Sequence, residues 1–300
     1  MSVTDKRVVL VTGGGKGLGR AFALDLAKRG VCVVVNNRVR AGQVDSAAGV
    51  VQEISDAGGL AVAETSDVTA RDAAGRLIDS ALQTFGRLDG IIFNAGITGE
   101  AKRFGDMEPI NFNQVMETNF ESVVRLTREA LPHLRNSAAG RYVFVSSSAG
   151  VYGVRGRSPY ASSKGALQAF ALNMAIEEAR HGCRANIVLP YAMTQMTQGA
   201  EASQEQDVLS PDKVAPFVSW LADSDCDLNG TAWTVGAGLV KQVRTLESEG
   251  AILPADGNVS EWFARNQRQL EALEVQSPRT KHAEHAFEQF MRAAAKLTTD

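Results

Sequence analysis

The stretch that decides the fold is VVLVTGGGKGLGR, residues 8–20. It begins with a run of apolar, mostly β-branched residues, which is typical of a buried strand. A glycine-rich turn follows at once, and the apolar spacing over residues 18–29 predicts a helix that ends at Gly30. Glycines between a strand and a helix let the backbone turn sharply and approach a phosphate closely. The stretch therefore predicts a βα unit that binds a nucleotide.

The same alternation of short apolar runs and longer helical patterns continues to about residue 190. Further strands are expected at 31–35, 60–64, 90–94, 141–146 and 185–189, and further helices at 47–56, 73–85, 112–133 and 159–180. Continuous apolar strands separated by helices indicate a parallel sheet that is covered on both faces. The predicted fold class is α/β: a doubly wound Rossmann-type parallel sheet with helices on both faces and a C-terminal helical extension.

Two domain segments are predicted. Residues 1–240 would form the dinucleotide-binding domain, and residues 241–300 a helical extension that packs on the same domain or on a partner subunit. Helical patterns near 259–273 and 280–296 support the extension. Residues 191–211 are polar and irregular, which favours a flexible flap.

Composition excludes several classes of function. The 300 residues are 44% hydrophobic and 22% charged with a net charge of −3, so neither nucleic acid nor an anionic membrane is an expected partner. The first residues lack the apolar segment of a signal peptide, and no segment reaches membrane-spanning length. The three cysteines have no CxxC spacing, which argues against a zinc site or a disulfide scaffold. We expect a cytoplasmic protein without a metal.

The residues beyond the glycine turn indicate which dinucleotide binds. NAD sites usually place Asp or Glu about 20 residues further on, where it accepts hydrogen bonds from the ribose. Here Asn37 and Arg38 stand at that position, and Lys16 adds a positive charge within the turn. An amide followed by a guanidinium suits a 2′-phosphate better than a hydroxyl. The pattern favours NADP. The alternative interpretation is that NAD binds and that Lys16 and Arg38 are ordinary surface cations.

A second informative stretch is SPYASSK, residues 158–164. Ser158 suits a helix N-cap, and Pro159 suits the first helical position. Tyr160 and Lys164 then lie at i and i+4 on one face, where the ammonium could lower the pKa of the phenol. Such a phenol is a candidate general acid or base. The alternative interpretation is an ordinary pair of helical neighbours.

The motifs together resemble those of the short-chain dehydrogenase/reductase family. The matching motifs, in order and within about residues 7–240, are Thr12-Gly13-x-x-x-Gly17-x-Gly19, Asp67-Val68, Asn94-Ala95-Gly96, Asn119, Ser147 and Tyr160-x-x-x-Lys164. The resemblance implies that Tyr160 exchanges a proton with the substrate oxygen and that Ser147 holds the same oxygen. Lys164 would bind the nicotinamide ribose, and Asn119 would fix a water on the proton path.

The resemblance also implies the residues that contact the cofactor. These are the matching motif residues, the cations and amide noted above, and two residues that follow a late strand: Thr12, Gly13, Gly15, Lys16, Gly17, Leu18, Gly19, Asn37, Arg38, Asp67, Val68, Asn94, Ala95, Gly96, Tyr160, Lys164, Pro190 and Met193. Candidate substrate contacts are Ser148, Arg155, Arg157, Tyr191 and Met196.

Three stretches carry a finer resemblance: LVTGGGKGLGRAFAL (10–24), NIVLPYAMTQMTQ (186–198) and LNGTAWTVGAGLVKQVRTLESEGAIL (228–253). Within the family, they most resemble the (3R)-hydroxyacyl-CoA dehydrogenase unit of the peroxisomal multifunctional β-oxidation enzyme. This implies an oxidoreductase that interconverts a ketone and a secondary alcohol, preferably in CoA-linked 3-oxoacyl and 3-hydroxyacyl thioesters. A hydroxysteroid or another lipophilic alcohol is the alternative substrate. A catalytically silent dinucleotide-binding protein is an alternative of another class. The resemblance further implies a homodimer or homotetramer.

Three residues depart from the family pattern. That dehydrogenase unit has an aspartate where this chain has Asn37. Phe93 replaces the first asparagine of the strand-4 motif, and Tyr191 replaces the glycine that commonly follows Pro190. The expectation for Tyr191 is a narrower pocket or a ring that stacks on a ligand.

Overall fold

The structure, a computed structural model, describes residues 6–39, 42, 44–193, 208–248, 250–254 and 258–272. The chain divides into two compact units, Met1–Val243 and Arg244–Asp300. In the second unit the described helix is Val259–Glu271, where a helix is predicted at 259–273. The predicted helix at 280–296 lies outside the described residues, as does most of the predicted flap. What the extension packs on stays a prediction.

The first unit is built on one sheet of eight strands. They are β1 Val8–Val11, β2 Cys32–Asn36, β3 Ala61–Glu64, β4 Gly90–Phe93, β5 Arg141–Val145, β6 Arg184–Tyr191, β7 Thr231–Gly236 and β8 Leu239–Val243. Their order is β3-β2-β1-β4-β5-β6-β7-β8, and all neighbours pair in parallel except β7 and β8. The order reverses between β1 and β4, which is the topology of a doubly wound sheet. The predicted fold class is confirmed.

The antiparallel strand β8 is an addition to the predicted sheet. It follows β7 through a two-residue turn, Ala237–Gly238, in which both residues have positive φ (+52° and +78°). Two left-handed residues are the signature of the hairpin turn whose twist matches that of the strands. β8 therefore needs no crossover helix to reach its neighbour.

The described α-helices alternate with the strands along the chain or follow them in sequence. They are α1 Gly17–Lys28, α2 Ser46–Asp56, α3 Ala73–Phe85, α4 Pro109–Met116, α5 Ser122–Asn136, α6 Ala149–Tyr152, α7 Ser158–Glu177, α8 Ala215–Leu221 and α9 Val259–Glu271. Alternate residues of β1 enter two separate cores: Val8 and Leu10 join one, and Val9 and Val11 join the other. The first core includes buried residues of α3, α5 and α7, and the second includes those of α1, α2 and α8. Helices thus cover both faces.

Two local predictions differ from the structure. The helix predicted at 112–133 is interrupted by a π-helical turn, Glu117–Glu121, between α4 and α5. Ser158 is the first residue of α7 rather than its N-cap; Arg157 occupies the cap position, with no side-chain cap hydrogen bond. The Ser158 hydroxyl is buried and has no hydrogen-bond partner among the described residues.

The described residues offer neither a membrane-spanning helix nor a cluster of metal ligands. No described helix is both long enough and apolar enough to cross a membrane. No described group of three or more His, Cys, Asp or Glu residues could hold a metal ion. The three cysteines are buried free thiols.

Candidate active site

The glycine turn after β1 presents bare backbone at the start of α1. Gly13 and Gly17 have φ of +64° and +51°, a region that side-chain-bearing residues rarely adopt. A Cβ at Gly19 would collide with the carbonyl oxygen of Gly13, so α1 packs directly against the turn. The unpaired N–H groups at a helix N-terminus favour a phosphate. The turn therefore fits the pyrophosphate of a dinucleotide.

Thr12 and Asn94 hold this turn against the end of β4. The Thr12 hydroxyl accepts hydrogen bonds from the backbone N–H groups of Asn94 (3.0 Å) and Ala95 (3.1 Å). The Asn94 amide in turn donates to the carbonyl oxygens of Thr12 (3.0 Å) and Gly13 (3.1 Å). Because these polar atoms are hydrogen-bonded within the protein, Thr12 and Asn94 fix the conformation of the glycine turn.

At the predicted adenosine end, Arg38 is paired with Asp67. An Arg38 Nη1 lies 2.8 Å from Asp67 Oδ2, and both side chains are 37% exposed. Asp67 Oδ1 accepts hydrogen bonds from the N–H (3.0 Å) and hydroxyl (2.8 Å) of Thr69. Burial acts to raise the pKa of Asp67, but the hydrogen bonds and charge of its partners outweigh burial and hold that pKa below its usual value. The guanidinium is thus already bound to an anion.

Asn37 is fixed beside the glycine turn. Its amide nitrogen donates to the hydroxyl of Ser46, the first residue of α2, at 2.9 Å. A Cβ at Gly15 would lie 2.9 Å from Cβ of Asn37 and would also collide with the Ser46 hydroxyl. Gly15 therefore lets the turn approach these two side chains, and its contact with the cofactor stays a prediction. Lys16 beside it is exposed.

Ser147 and Tyr160 meet at the carboxyl end of the sheet. Ser147 lies just beyond β5 and Tyr160 lies in the first turn of α7, and the Ser147 side chain acts to lower the pKa of the phenol. Neighbouring Ser146 is buried, and its hydroxyl donates to the backbone carbonyl of Lys164 (2.9 Å). Of the two serines, Ser147 is the one that acts on the pKa of Tyr160, and its catalytic role stays a prediction.

The pKa of Tyr160 moves in the direction opposite to that predicted. Burial raises the pKa of the phenol above its usual value, against the hydrogen bond from Ser147 and the positive charge of Arg157. Burial is the largest effect on this pKa in the cofactor-free protein and outweighs any lowering by its neighbours. Spacing at i and i+4 indicates a shared face, but it does not report how deeply that face is buried.

Lys164 is itself buried and bound to the sheet. Its Nζ donates to the carbonyl oxygen of Val145 (2.7 Å) and lies 5.9 Å from the centre of the Tyr160 ring. Burial lowers the pKa of the ammonium to about 8. The amine thus lies over the ring, and its hydrogen bond points to the backbone of β5. Its predicted contact with a ribose stays a prediction.

Asn119 is fully buried in the π-helical turn and ties three segments together. Its Oδ1 accepts from the N–H of Ile97 (2.8 Å), and its Nδ2 donates to the Ile97 carbonyl (2.9 Å) and the Ser163 hydroxyl (3.0 Å). A Cβ at Gly96 would lie 3.1 Å from Asn119 Oδ1 and 3.6 Å from Lys164 Nζ. The described contacts of the amide are structural, and its water-holding role stays a prediction.

The predicted substrate contacts are less closely grouped. Ser148 is partly buried before α6, and Arg155 is exposed with no hydrogen bond or ion pair to any described residue. Arg157 donates instead to the backbone carbonyl of Gly99. Tyr191 is half exposed at the end of β6. Met196 lies outside the described residues.

The remaining predicted cofactor residues lie at or near strand ends. Pro190 is within β6, and Met193 follows it, with its N–H bound to the carbonyl of Leu209 (2.8 Å). Val68 and Leu18 are partly buried and pack on the two cores. Phe93, which replaces the family asparagine, is buried and stacks on Phe144 of the adjacent strand, with ring centres 4.7 Å apart. That stacking gives a packing reason for the departure.

The comparisons with known proteins identify the family. The model of the short-chain dehydrogenase family matches residues 7–206. The chain belongs to the short-chain dehydrogenase/reductase family. One relative is a short-chain type dehydrogenase/reductase of Mycobacterium tuberculosis, 35% identical, with the match covering 86% of this chain and 92% of that protein.

Other relatives of this short-chain dehydrogenase/reductase carry more specific names. The hydroxyacyl-CoA dehydrogenase ChsB1 of Mycobacterium tuberculosis is 37% identical over 76% of this chain and 77% of its own length. The peroxisomal multifunctional enzyme type 2 of Mus musculus is 36% identical over 83% of this chain, but the match spans only 34% of that enzyme. A solved short-chain dehydrogenase from Mycobacterium avium has a TM-score of 0.79 at 32% identity and covers 92% of this chain and 99% of its own.

Family membership makes this chain an oxidoreductase that uses NAD(P), and the bare glycine turn fits that cofactor. When bound, the cofactor supplies or accepts a hydride. In this short-chain dehydrogenase/reductase the backbone of the glycine turn would hold the pyrophosphate, and Asp67 and Lys164 would contact the two nucleoside ends. The Ser147 and Tyr160 hydroxyls would hold and move the proton.

Sequence reasoning missed three residues of the site: Ser163, Ser46 and Gly99. Ser163 lies within SPYASSK and binds Asn119, and Ser46 binds Asn37. Helical spacing does place Ser163 near Tyr160, but nothing in the pattern indicates a partner 44 residues away. The bond from Arg157 to Gly99 spans 58 residues and has no sequence signal either.

Proposed function

We propose that the chain is an NADP(H)-dependent oxidoreductase that interconverts a ketone and a secondary alcohol, preferentially in 3-oxoacyl and 3-hydroxyacyl thioesters. The observation that carries the proposal is the placement of Ser147 just beyond β5 and of Tyr160 in the first turn of α7, in a chain that also has a bare glycine turn. The thioester class is supported by a relative named as a hydroxyacyl-CoA dehydrogenase.

The chain's own residues would handle the proton. In reduction, the Tyr160 hydroxyl gives its proton to the carbonyl oxygen, while the Ser147 hydroxyl holds that oxygen by a hydrogen bond. In oxidation, the phenolate of Tyr160 takes the proton from the alcohol. Because burial raises the pKa of Tyr160, the phenol is protonated at neutral pH in the cofactor-free protein. In that state Tyr160 can donate the proton that ketone reduction requires.

The preference for NADP is supported by charge at the adenosine end. Arg38 and Lys16 are cations, and Asn37 replaces the carboxylate that would repel a phosphate. Arg38 already binds one anion, the Asp67 carboxylate. A 2′-phosphate would take part of that interaction, so Arg38 contributes to NADP binding by exchanging or sharing partners.

The test is the reduction of acetoacetyl-CoA by the purified protein, with NADPH and NADH run in parallel at equal concentration. We expect faster turnover with NADPH. Arg38→Asp should weaken NADPH binding far more than NADH binding, because only NADPH carries the extra phosphate. Equal losses for the two cofactors would contradict the NADP proposal. No turnover with either, while NADPH still binds, would contradict the thioester proposal and favour a bulkier lipophilic alcohol.

A further inference from the structure

The start of α2 lies against two parts of the cofactor end of the site. Ser46 is the first residue of α2, and its hydroxyl oxygen accepts a hydrogen bond from the side-chain amide of Asn37 at 2.9 Å. A Cβ added at Gly15 would collide with the same oxygen, so Ser46 lies directly beside the backbone of the glycine turn. Ser46 is therefore placed between the turn that fits a pyrophosphate and the residue after β2 that faces the adenosine ribose.

The polar atoms of the Asn37 amide are divided between the protein and the open site. Nδ2 donates to Ser46 and makes a longer contact of 3.4 Å with the carbonyl oxygen of Arg38. Oδ1 has no hydrogen-bond partner among the described residues. The amide thus offers an acceptor, which suits a ribose hydroxyl and does not suit a phosphate. Because NAD and NADP both carry ribose hydroxyls at this end, Asn37 alone does not distinguish them.

The hydroxyl of Ser46 offers the opposite capacity. A serine hydroxyl has one proton to donate and two lone pairs that accept. Ser46 accepts from Asn37, and it donates its proton to no described residue. The N-cap of α2 is Asp45, whose carboxylate accepts from the N–H of Ala48 (2.9 Å), so capping does not use the Ser46 proton. An unused donor beside the ribose position suits a phosphate oxygen, which only accepts.

The two cations of this region are less well prepared to hold a phosphate. The guanidinium of Arg38 lies 2.8 Å from the Asp67 carboxylate, with which a phosphate must compete. Lys16 is exposed, and fixing its long side chain on a ligand costs conformational entropy. The Ser46 side chain is short and partly buried, and its oxygen is already held by Asn37. A donor that is fixed before the ligand arrives loses little freedom on binding.

We propose that Ser46 is a cofactor-binding residue that selects NADP: Asn37 fixes its hydroxyl, and the hydroxyl donates its proton to an oxygen of the 2′-phosphate. Asn37 itself accepts from a ribose hydroxyl that both cofactors carry. Ser46 therefore adds to the binding of NADP alone, whereas Asn37 adds to the binding of either cofactor. The proposal rests on the proposed NADP(H)-dependent function.

The first test compares NADPH and NADH binding to the cofactor-free protein by nicotinamide fluorescence, which needs no substrate. Ser46→Ala should raise the Kd for NADPH about tenfold, because a charge-assisted hydrogen bond to the phosphate is lost. The Kd for NADH should stay near that of the wild type. Asn37→Ala should instead raise both Kd values, since it removes the acceptor for the ribose hydroxyl.

Two further variants separate the hydroxyl from the helix that carries it. Ser46→Thr keeps a hydroxyl and should retain the preference for NADPH. Ser55→Ala is the matched control, because it removes an exposed hydroxyl from the same helix, and it should change neither Kd. A thermal unfolding curve of each cofactor-free variant verifies that folded proteins are compared. The proposal is overturned if Ser46→Ala weakens NADH binding as much as NADPH binding, as a purely structural role would, or if it leaves both unchanged.

A second measurement isolates the adenosine end by using cofactor fragments. Calorimetry compares adenosine 2′,5′-bisphosphate with 5′-AMP, which differ only in the 2′-phosphate. The wild type should bind the bisphosphate more tightly, and Ser46→Ala should remove much of that difference. If Ser46→Ala keeps the whole difference, the role of Ser46 is refuted while the NADP proposal stands. If the wild type binds the two fragments equally, both fail. A loss of the difference in a protein that turns over no thioester would refute only the substrate assignment.

Discussion

Burial shifts the pKa values of Tyr160 and Lys164 in opposite directions, because a phenol ionises to an anion and an amine to a cation. Burial raises the pKa of the phenol and lowers the pKa of the ammonium, so both neutral forms are favoured. The identities and the shared face of the two residues could be predicted from SPYASSK. The directions of the shifts could not, because they depend on α7 lying against β5, which local spacing does not report.

Tyr160→Phe is expected to abolish most turnover while cofactor binding stays near that of the wild type. Removing a general acid typically costs a factor of roughly 10²–10⁴ in rate. The measurements are acetoacetyl-CoA reduction and NADPH binding by fluorescence. If the variant reduces the substrate as fast as the wild type, the assigned mechanism fails; if neither protein turns over any ketone while both bind NADPH, the silent binding protein is the better description.

Lys164→Met should make the difference in unfolding free energy between variant and wild type depend on pH. Lys164 has a lower pKa in the folded protein, about 8, than in the unfolded chain, about 10.5, so the unfolded chain binds more protons between these values. Wild-type stability should therefore rise relative to the variant across this range, by about 3 kcal/mol in total. The lost hydrogen bond to Val145 adds an offset that does not change with pH.

Urea unfolding at pH 7 and near pH 10 measures this difference. Other titrating groups are common to both proteins and cancel in the comparison. A difference that stays constant over the range would show that Lys164 is not desolvated as described.

At the scale of elements, the glycine turn and the main strands were predictable, and the interruptions were not. The alternation of apolar runs places the first six strands within one or two residues of their observed bounds. The π-helical turn Glu117–Glu121 breaks the helix predicted at 112–133, because hydrophobic spacing cannot distinguish one extra residue in a turn. α6 is a single turn of four residues, and β8 is mostly exposed and lacks a continuous apolar run, so neither gives the signal that marks the other elements.

Gly19→Ala should impair both folding stability and dinucleotide binding. The new methyl group would collide with the Gly13 carbonyl, so α1 must move away from the turn. The matched control is Gly49→Ala in the exposed face of α2, where a Cβ meets no atom within 4 Å. That change should stabilise the protein by about 0.5–1 kcal/mol and leave NADPH binding unchanged. Chemical denaturation and fluorescence titration report the two effects, and normal binding by Gly19→Ala would refute the close approach.

At the scale of the whole molecule, one surface is relevant to the predicted oligomer. Ala169, Leu172 and Ile176 lie at helical spacing on α7, and all three are exposed. An apolar stripe at this spacing is usual on a helix face that packs against another surface. The predicted homodimer or homotetramer would explain its exposure, and the number of subunits stays a prediction.

Leu172→Asp should lower the mass of the protein in solution if α7 lies in a subunit interface, because a buried carboxylate without a partner is costly. Val44→Asp is the control, since Val44 is 89% exposed before α2. Light scattering at several concentrations measures both. If the mass of the Leu172→Asp variant equals that of the wild type, α7 does not lie in a subunit interface.

The hairpin between β7 and β8 has a consequence for how the sheet opens. Strands β1 to β7 pair in parallel, so each needs a crossover connection to reach its neighbour. β8 instead pairs with β7 directly, starting from the two-residue turn Ala237–Gly238. β8 can therefore peel away and reattach while every crossover helix remains in place. Amide protons at the β8 edge should exchange with solvent by a low-energy local opening, and those of β1 only when the whole domain unfolds.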